Sequence, residues 1–300
     1  MTKSNKYAKD EKQFVEEPFL EQLEGLGWTI IRCSGIGEAG TQYAHDTFRE
    51  NFSEVILQPK LEEALQTINP FLESDQIAEV VSELTKYESN TLLENNQAIL
   101  EKLLENTSVS ENRQTGAKSP TVRYLDFDNI SNNNFYAVSQ LKVRILGTDK
   151  HFYPDITLFV NGLPLAVIEC KYHKSNLPID SAIKDLQTYS EQREHGTGGN
   201  KELFYYNQIL VATCRNNASF GTITSRNLHY YRWSDPYPLS LDDLVKKGDK
   251  SLPNDQERLV AGMFAKRNLL DILRSYTLFI SESDETIKIV GRYQQFRAVK

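Results

Sequence analysis

Apolar positions along the chain follow two rhythms, one helical and one extended. Between Lys12 and Leu26 the residues Val15, Phe19, Leu23 and Leu26 recur at spacings of four, four and three, which predicts an amphipathic helix ended by Gly25-Leu26-Gly27. Trp28 to Arg32 reads as a short strand, and Leu61 to Leu104 as mainly helical. Glu105 to Ser119 and Asp126 to Asn134 are polar turn segments. Phe135 to Ile145 alternates as a strand, with Gln140 inside it. Two apolar runs follow, Ile156 to Val160 and Leu165 to Cys170, joined by Asn161-Gly162-Leu163-Pro164. Asn-Gly between such runs signals a hairpin, and the added Leu-Pro lengthens the loop beyond two residues. A helix over Ser181 to Tyr189, a glycine-bearing loop over Glu194 to Lys201, and strands over Phe204 to Ala212 and Thr222 to Trp233 complete this part. Pro236-Tyr237-Pro238 and Lys246 to Pro253 mark a linker, with a helix over Leu259 to Phe279 and a further one beginning in Lys288 to Lys300. The predicted class is α/β, a central mixed sheet flanked by helices.

The second run of the hairpin carries a chemical anomaly. Glu169 interrupts Leu-Ala-Val-Ile-Glu-Cys-Lys, a stretch that otherwise reads as buried, and burying a carboxylate is costly unless something pairs with it. Side chains two apart on a strand share a face, so Glu169 and Lys171 point the same way. Pro154-Asp155 opens the first strand, fourteen residues before Glu169, and the fold-back can bring Asp155 to the same end. An ordinary Glu–Lys pair on a surface hairpin would need no such apolar frame. Two carboxylates and one ammonium suit metal-assisted phosphodiester hydrolysis. Hard oxygens hold Mg²⁺ while leaving positions for water and phosphate, and the lysine orients the water or offsets developing charge.

Composition narrows the setting. The chain has 300 residues, 39% of them hydrophobic and 25% charged, as in a globular protein of one large or two modest domains. No apolar run nears the roughly 20 residues that span a bilayer, and the polar start from Met1 to Lys12 is no signal peptide. Cys33, Cys170 and Cys214 are odd in number and far apart, which argues against disulfides or a zinc site and for a reducing, cytoplasmic compartment. The net charge of −7 opposes nucleic-acid binding in sum. Locally, however, Lys142, Arg144, Lys150, His151, Lys171, His173 and Lys174 crowd the hairpin, while much of the acid lies in Glu11 to Glu24 and Glu54 to Glu105. Gly35-Ile-Gly37-Glu-Ala-Gly40 matches a bare dinucleotide-binding pattern, but a helix precedes the strand and no clear apolar helix follows, so it reads as a loop. Tyr205, Tyr206, Tyr230, Tyr231 and Trp233 fit core and cross-strand pairs better than base stacking.

Pro154-Asp155 and Glu169-Cys170-Lys171 resemble the PD-(D/E)xK nuclease signature. Asn161 to Glu169, Asn207 to Thr213 and Arg49-Glu50-Asn51-Phe52 resemble blocks of the restriction (motor) subunit of type I restriction–modification enzymes, a likeness running from about Glu11 to Lys300. The resemblance implies a restriction-endonuclease-like fold. It implies Mg²⁺-dependent cleavage of double-stranded DNA, coupled in the whole protein to ATP-driven translocation and to methylation and specificity subunits. By the same likeness Asp155 and Glu169 are metal ligands, joined by the Cys170 carbonyl. Glu16 is a further candidate ligand, although the helix dipole alone would favour a glutamate there. The family's Gln-x-x-x-Tyr element falls on Asp185-Leu-Gln187-Thr-Tyr189: Tyr189 fits, Asp185 stands where the Gln is expected, and Gln187 is displaced. Gln140 and His151 are candidate contacts beside the hairpin; His151 reads equally as a loop histidine. The implied division is an endonuclease domain over 1–240, then a linker and the start of a helicase motor over 241–300, with Gln295 where adenine would be recognised. No Gly-x-x-x-x-Gly-Lys-[Ser/Thr] loop occurs in the chain, so ATP hydrolysis by that route is not expected of these residues. A stand-alone or repair nuclease with the same chemistry, or a non-catalytic docking module for the methyltransferase core, are the alternatives.

Overall fold

A computed structural model describes residues 7–34, 42–192, 198–245, 252–282 and 285–300. The Gly35–Gly40 pattern, most of Lys246 to Pro253 and part of the loop after Tyr189 lie outside the described residues. A six-stranded mixed sheet forms the centre, its strands side by side in chain order: β1 Thr29–Arg32, β2 Phe135–Ser139, β3 Ile156–Val160, β4 Leu163–Cys170, β5 Ile209–Thr213 and β6 Ala218–Gly221. The β1–β2 and β4–β5 pairs are parallel and the others antiparallel. The parallel pairs need crossovers. Helices α3 Gln58–Ile68, α4 Ser74–Thr85 and α5 Leu92–Glu105 lie in the first, α6 Pro178–Tyr189 and α7 Lys201–Tyr205 in the second. The α/β class and the mixed sheet flanked by helices are as expected.

Every residue of β3 and β4 is buried, so the hairpin is the core of the sheet. Its turn is tighter than the sequence suggested. Asn161 and Gly162 alone form it, at φ 51° and 77°, and Leu163 and Pro164 already belong to β4. A two-residue turn with both φ positive matches the strand twist, and Asn-Gly tolerates it. Pro164 cannot donate to a ladder, and the register shifts between Leu158 and Phe159 to absorb it. The turn is held from outside: Gly162 carbonyl accepts the Leu57 N–H at 2.8 Å, and Asn161 Nδ2 donates to the Tyr124 carbonyl at 2.9 Å.

The first helix starts earlier than its apolar spacing indicated. It runs from α1 Ala8–Glu11 through a π-helical turn at Lys12–Glu16 into α2 Glu17–Gly25. Other extended predictions were too long. The strand from Phe135 ends at Ser139, because Gln140 takes a left-handed φ of 52°, so Gln140 stands just past the strand rather than within it. Phe204 lies within α7, whose N-terminus Asn200 caps by accepting the Glu202 N–H. Thr222 to Trp233 is a turn, a short 3-10 segment at Asn227–His229 and a single bridge from Tyr231 to Phe220, not a strand. After the short α8 Leu241–Leu244, Leu259 to Phe279 divides into α9 Asp255–Met263, α10 Lys266–Ser275 and the start of β7 Thr277–Glu282, which pairs with β8 Glu285–Val290 before α11 Tyr293–Val299. The apolar core is continuous from the sheet into α9 and α10. Trp28 Nε1 donates to the Phe264 carbonyl at 2.9 Å, and Gln256 Nε2 to the Val15 carbonyl at 3.2 Å. Tyr205, Tyr206 and Trp233 are buried in that core. Among the described residues no helix is long and apolar enough to cross a membrane.

Candidate active site

The hairpin register brings the acids together. Ile156 pairs with Ile168, and one step further along the ladder Asp155 stands across from Glu169, where antiparallel partners share a face. Lys171 continues the parallel edge, its N–H bonded to the Thr213 carbonyl at 2.9 Å. Lys171 Nζ donates to Glu169 Oε1 at 2.6 Å and lies 2.9 Å from Asp185 Oδ2 on α6. Asp155 Oδ2 accepts the Cys170 N–H at 2.6 Å, and its Oδ1 accepts Gln140 Nε2 at 3.0 Å. The same amide nitrogen donates to Glu16 Oε2 at 2.9 Å. Tyr189 contributes its hydroxyl at 3.5 Å from Glu169 Oε1, a weak contact, and stacks its ring on Phe152 with centroids 4.8 Å apart.

Thus the hairpin gathers Asp155, Glu169, Cys170 and Lys171, the first helix adds Glu16, the end of β2 adds Gln140, and α6 adds Asp185 and Tyr189. Gln187, on the same helix, makes no hydrogen bond to these residues. His151 is set apart: its ring meets Phe52 edge-on at 5.4 Å and lines a neighbouring cleft of about 830 Å³ with Lys142 and Arg144. Arg144 in that cleft is paired with Asp149 at 2.6 Å. Gln295 is remote from all of this, its Oε1 accepting the Arg292 N–H at the start of α11.

Two contributors had not been singled out. Glu11 Oε2 accepts the Tyr172 N–H at 3.0 Å, and Gln42 Nε2 donates to the Gln140 carbonyl at 2.9 Å. Glu11 and Glu16 are five residues apart, a spacing that a π-turn places on one face and a 3.6-residue helix does not. Gln42 lacks any such signal, since its partners are 8 and 98 residues away.

The electrostatics follow from five carboxylates and one ammonium in a nearly dry space. Burial disfavours the Lys171 ammonium, but Glu169, Asp155, Asp185 and Glu11 outweigh it and hold the proton on. Burial pushes the Glu169 carboxyl well up, with Asp155 adding to it and Lys171 opposing. Asp155 is raised by burial, partly offset by Lys171 and by its two N–H donors. Glu16 is pushed up to about 9 by burial and by Asp155, with the Gln140 amide and Lys12 opposing. Two buried oxygens, Glu16 Oε1 and Glu169 Oε2, have no hydrogen-bond partner. Such groups need an explanation, and a cation is the species that satisfies acidic oxygens in excess.

The description of the N terminus of the type I restriction enzyme R protein matches residues 8–228. The chain belongs to this family. The endonuclease subunit of the type I restriction enzyme HindI from Haemophilus influenzae is 29% identical over 287 residues, 95% of this chain and 26% of that protein. The EcoprrI endonuclease subunit from Escherichia coli is 29% identical over 171 residues, 57% of this chain and 49% of that protein. The chain therefore spans about a quarter to a half of these relatives. As an R-protein N-terminal region it has a nuclease-region role in restriction, and its matched segment contains every member of the acidic site.

Proposed function

We propose that this chain hydrolyses phosphodiester bonds of double-stranded DNA with Mg²⁺ at the site formed by Asp155, Glu169 and Lys171. The observation that carries the reading is their convergence in a buried place where Glu16 and Glu169 each keep an oxygen without a partner. The donors fit the ion: Asp155, Glu169 and the Cys170 carbonyl would hold it, with Glu16 alongside, and all are hard oxygens. Among the described residues no group of three or more acidic, His or Cys side chains is already placed to hold an ion; Mg²⁺ keeps several waters and takes only one or two carboxylates from protein, which Asp155 and Glu169 would supply. When bound, the ion would polarise the phosphate and lower the pKa of a water.

The remaining work belongs to the chain's own groups. Lys171 carries its proton at neutral pH and can orient the attacking water or neutralise charge on the phosphate oxygens. Asp185 is a second anchor for that ammonium, 2.9 Å away, so Lys171 would stay held when Glu169 engages the ion. Asp185 thus takes a place at the site where the family expects a Gln. Tyr189 braces Glu169 from α6.

With a net charge of −7, the chain by itself would hold DNA weakly. ATP-driven translocation by a downstream motor, together with the methylation and specificity subunits, would deliver the substrate. Gln295 is assigned to adenine recognition and residues 241–300 to the linker and the beginning of that motor, in a cytoplasmic enzyme. Iron-directed backbone cleavage tests the metal's location. Fe²⁺ with ascorbate and peroxide should cut the polypeptide near residues 155 and 169, and Mg²⁺ in excess or Asp155→Asn should suppress both cuts. Cuts elsewhere alone, or cuts insensitive to Asp155→Asn, would remove the ion from this site.

A further inference from the structure

Gln140 is built into the site more firmly than a neighbour needs to be. Its Nε2 has two N–H groups, and each is spent on a carboxylate, Glu16 Oε2 at 2.9 Å and Asp155 Oδ1 at 3.0 Å. Those carboxylates come from distant parts of the chain, one on the first helix and one at the mouth of the hairpin. The backbone is fixed as well. Gln140 N–H donates to the Asp155 carbonyl at 2.9 Å, and its own carbonyl accepts Gln42 Nε2 at 2.9 Å. Gln42 Oε1 in turn accepts the Lys142 N–H at 2.9 Å, so the buried Gln42 grips the chain on both sides of Leu141. The result is a glutamine at φ 52°, a conformation that costs an ordinary residue about 1–2 kcal/mol and persists only where its surroundings impose it.

Two carboxylates that share a site repel unless a proton, a cation or N–H donors stand between them. In two-metal phosphodiesterases a shared carboxylate lies between ions about 3.5–4 Å apart. Asp155 has the position for that role, but Cys170 N–H faces one of its oxygens and the Gln140 amide the other. We propose that the Gln140 amide takes the place of a second cation between Glu16 and Asp155, so that the site accepts one divalent ion per chain. Gln140 is thereby a positioning residue: it fixes two carboxylates and touches neither phosphate nor water. The inference rests on the metal site proposed above.

The test is ion stoichiometry, read without DNA. Mn²⁺ is titrated into the chain at neutral pH, with free ion followed by electron paramagnetic resonance and heat by calorimetry. The wild type should bind one ion. Gln140→Met keeps the side chain's length and removes both N–H donors, and it should bind two. If that variant melts early, Gln140→Asn serves instead. Asparagine tolerates the left-handed backbone, and its shorter amide cannot span both acids, so it too should bind two. Two ions on the wild type overturn the inference while leaving the metal site standing, as does a single ion on the folded variants. No ion on the wild type defeats the metal site itself and this inference with it.

Discussion

Glu16 offers a quantitative test, because its burden is electrostatic and titratable. Its carboxyl moves from 4.5 to about 9, chiefly by burial and then by Asp155. A carboxyl raised in the folded state contributes stability that is complete below pH 4.5 and is lost as pH climbs toward 9. The cause is that the unfolded chain gains by ionising and the folded, metal-free chain does not. Between pH 5 and pH 8 the loss would reach about 4 kcal/mol at about 1.4 kcal/mol per pH unit. Local relaxation and water entry reduce such penalties, so about 2 kcal/mol is the working figure. Glu16→Gln keeps an oxygen for the Gln140 amide and cannot titrate. Urea melts of both proteins in EDTA, at pH 5 and pH 8, isolate the contribution of Glu16 and its coupling to Asp155, since groups away from the site titrate alike in the two. The variant should gain about 2 kcal/mol on the wild type over that interval, and Mg²⁺ at pH 8 should narrow the gap by stabilising the wild type more than the variant. Parallel pH profiles would refute the argument that Glu16 is held as a buried acid.

Two further substitutions separate scaffold from site. Gly162→Ala would place a Cβ 2.4 Å from the Leu57 carbonyl oxygen at a φ of 77°, and thermal melting should register a loss of about 3 kcal/mol or more; a change below about 1 kcal/mol would mean the turn can shift. Tyr189→Phe keeps the 4.8 Å stack on Phe152 and loses only the 3.5 Å contact to Glu169, so its stability should change by less than about 1 kcal/mol, whereas Tyr189→Ala should cost about 3 kcal/mol. Equal melting points for the two would show that the ring does not support the site.

The hairpin and its trio were legible because their signals are local: continuous apolar runs, an Asn-Gly turn, and a Glu at i with a Lys at i+2. The length of the turn was misjudged because a register shift allows Pro164 into a strand, which the residue type argues against. Gln140 looked like a strand residue because Phe135 to Ile145 alternates throughout. Only the grip of Gln42, 98 residues away, explains why the chain bends there. Lys288 shows the same limit. The segment it opens read as the start of a helix, with no sign that Lys288 is buried, yet it is, with Nζ donating to Asn96 Oδ1 at 2.6 Å and the Asn207 carbonyl at 3.2 Å. Burial pushes its pKa well down, and among the described residues no carboxylate pairs with it. Contacts between residues 80 to 190 positions apart leave no trace in local periodicity.

The proposed cutting of DNA by Asp155, Glu169 and Lys171 stands or falls on one comparison. Its most direct measurement is plasmid cleavage by the assembled restriction complex with Mg²⁺ and ATP, comparing wild type with Glu169→Gln. The substitution keeps size and shape and removes the charge that would hold the ion. ATP hydrolysis, followed in the same tube, reports that the complex is assembled and moving on DNA. Glu169→Gln should hydrolyse ATP at the wild-type rate and leave the plasmid supercoiled, with cleavage down by about 10³-fold or more, the scale of removing a group that stabilises developing charge. Cleavage by Glu169→Gln within tenfold of wild type would contradict it.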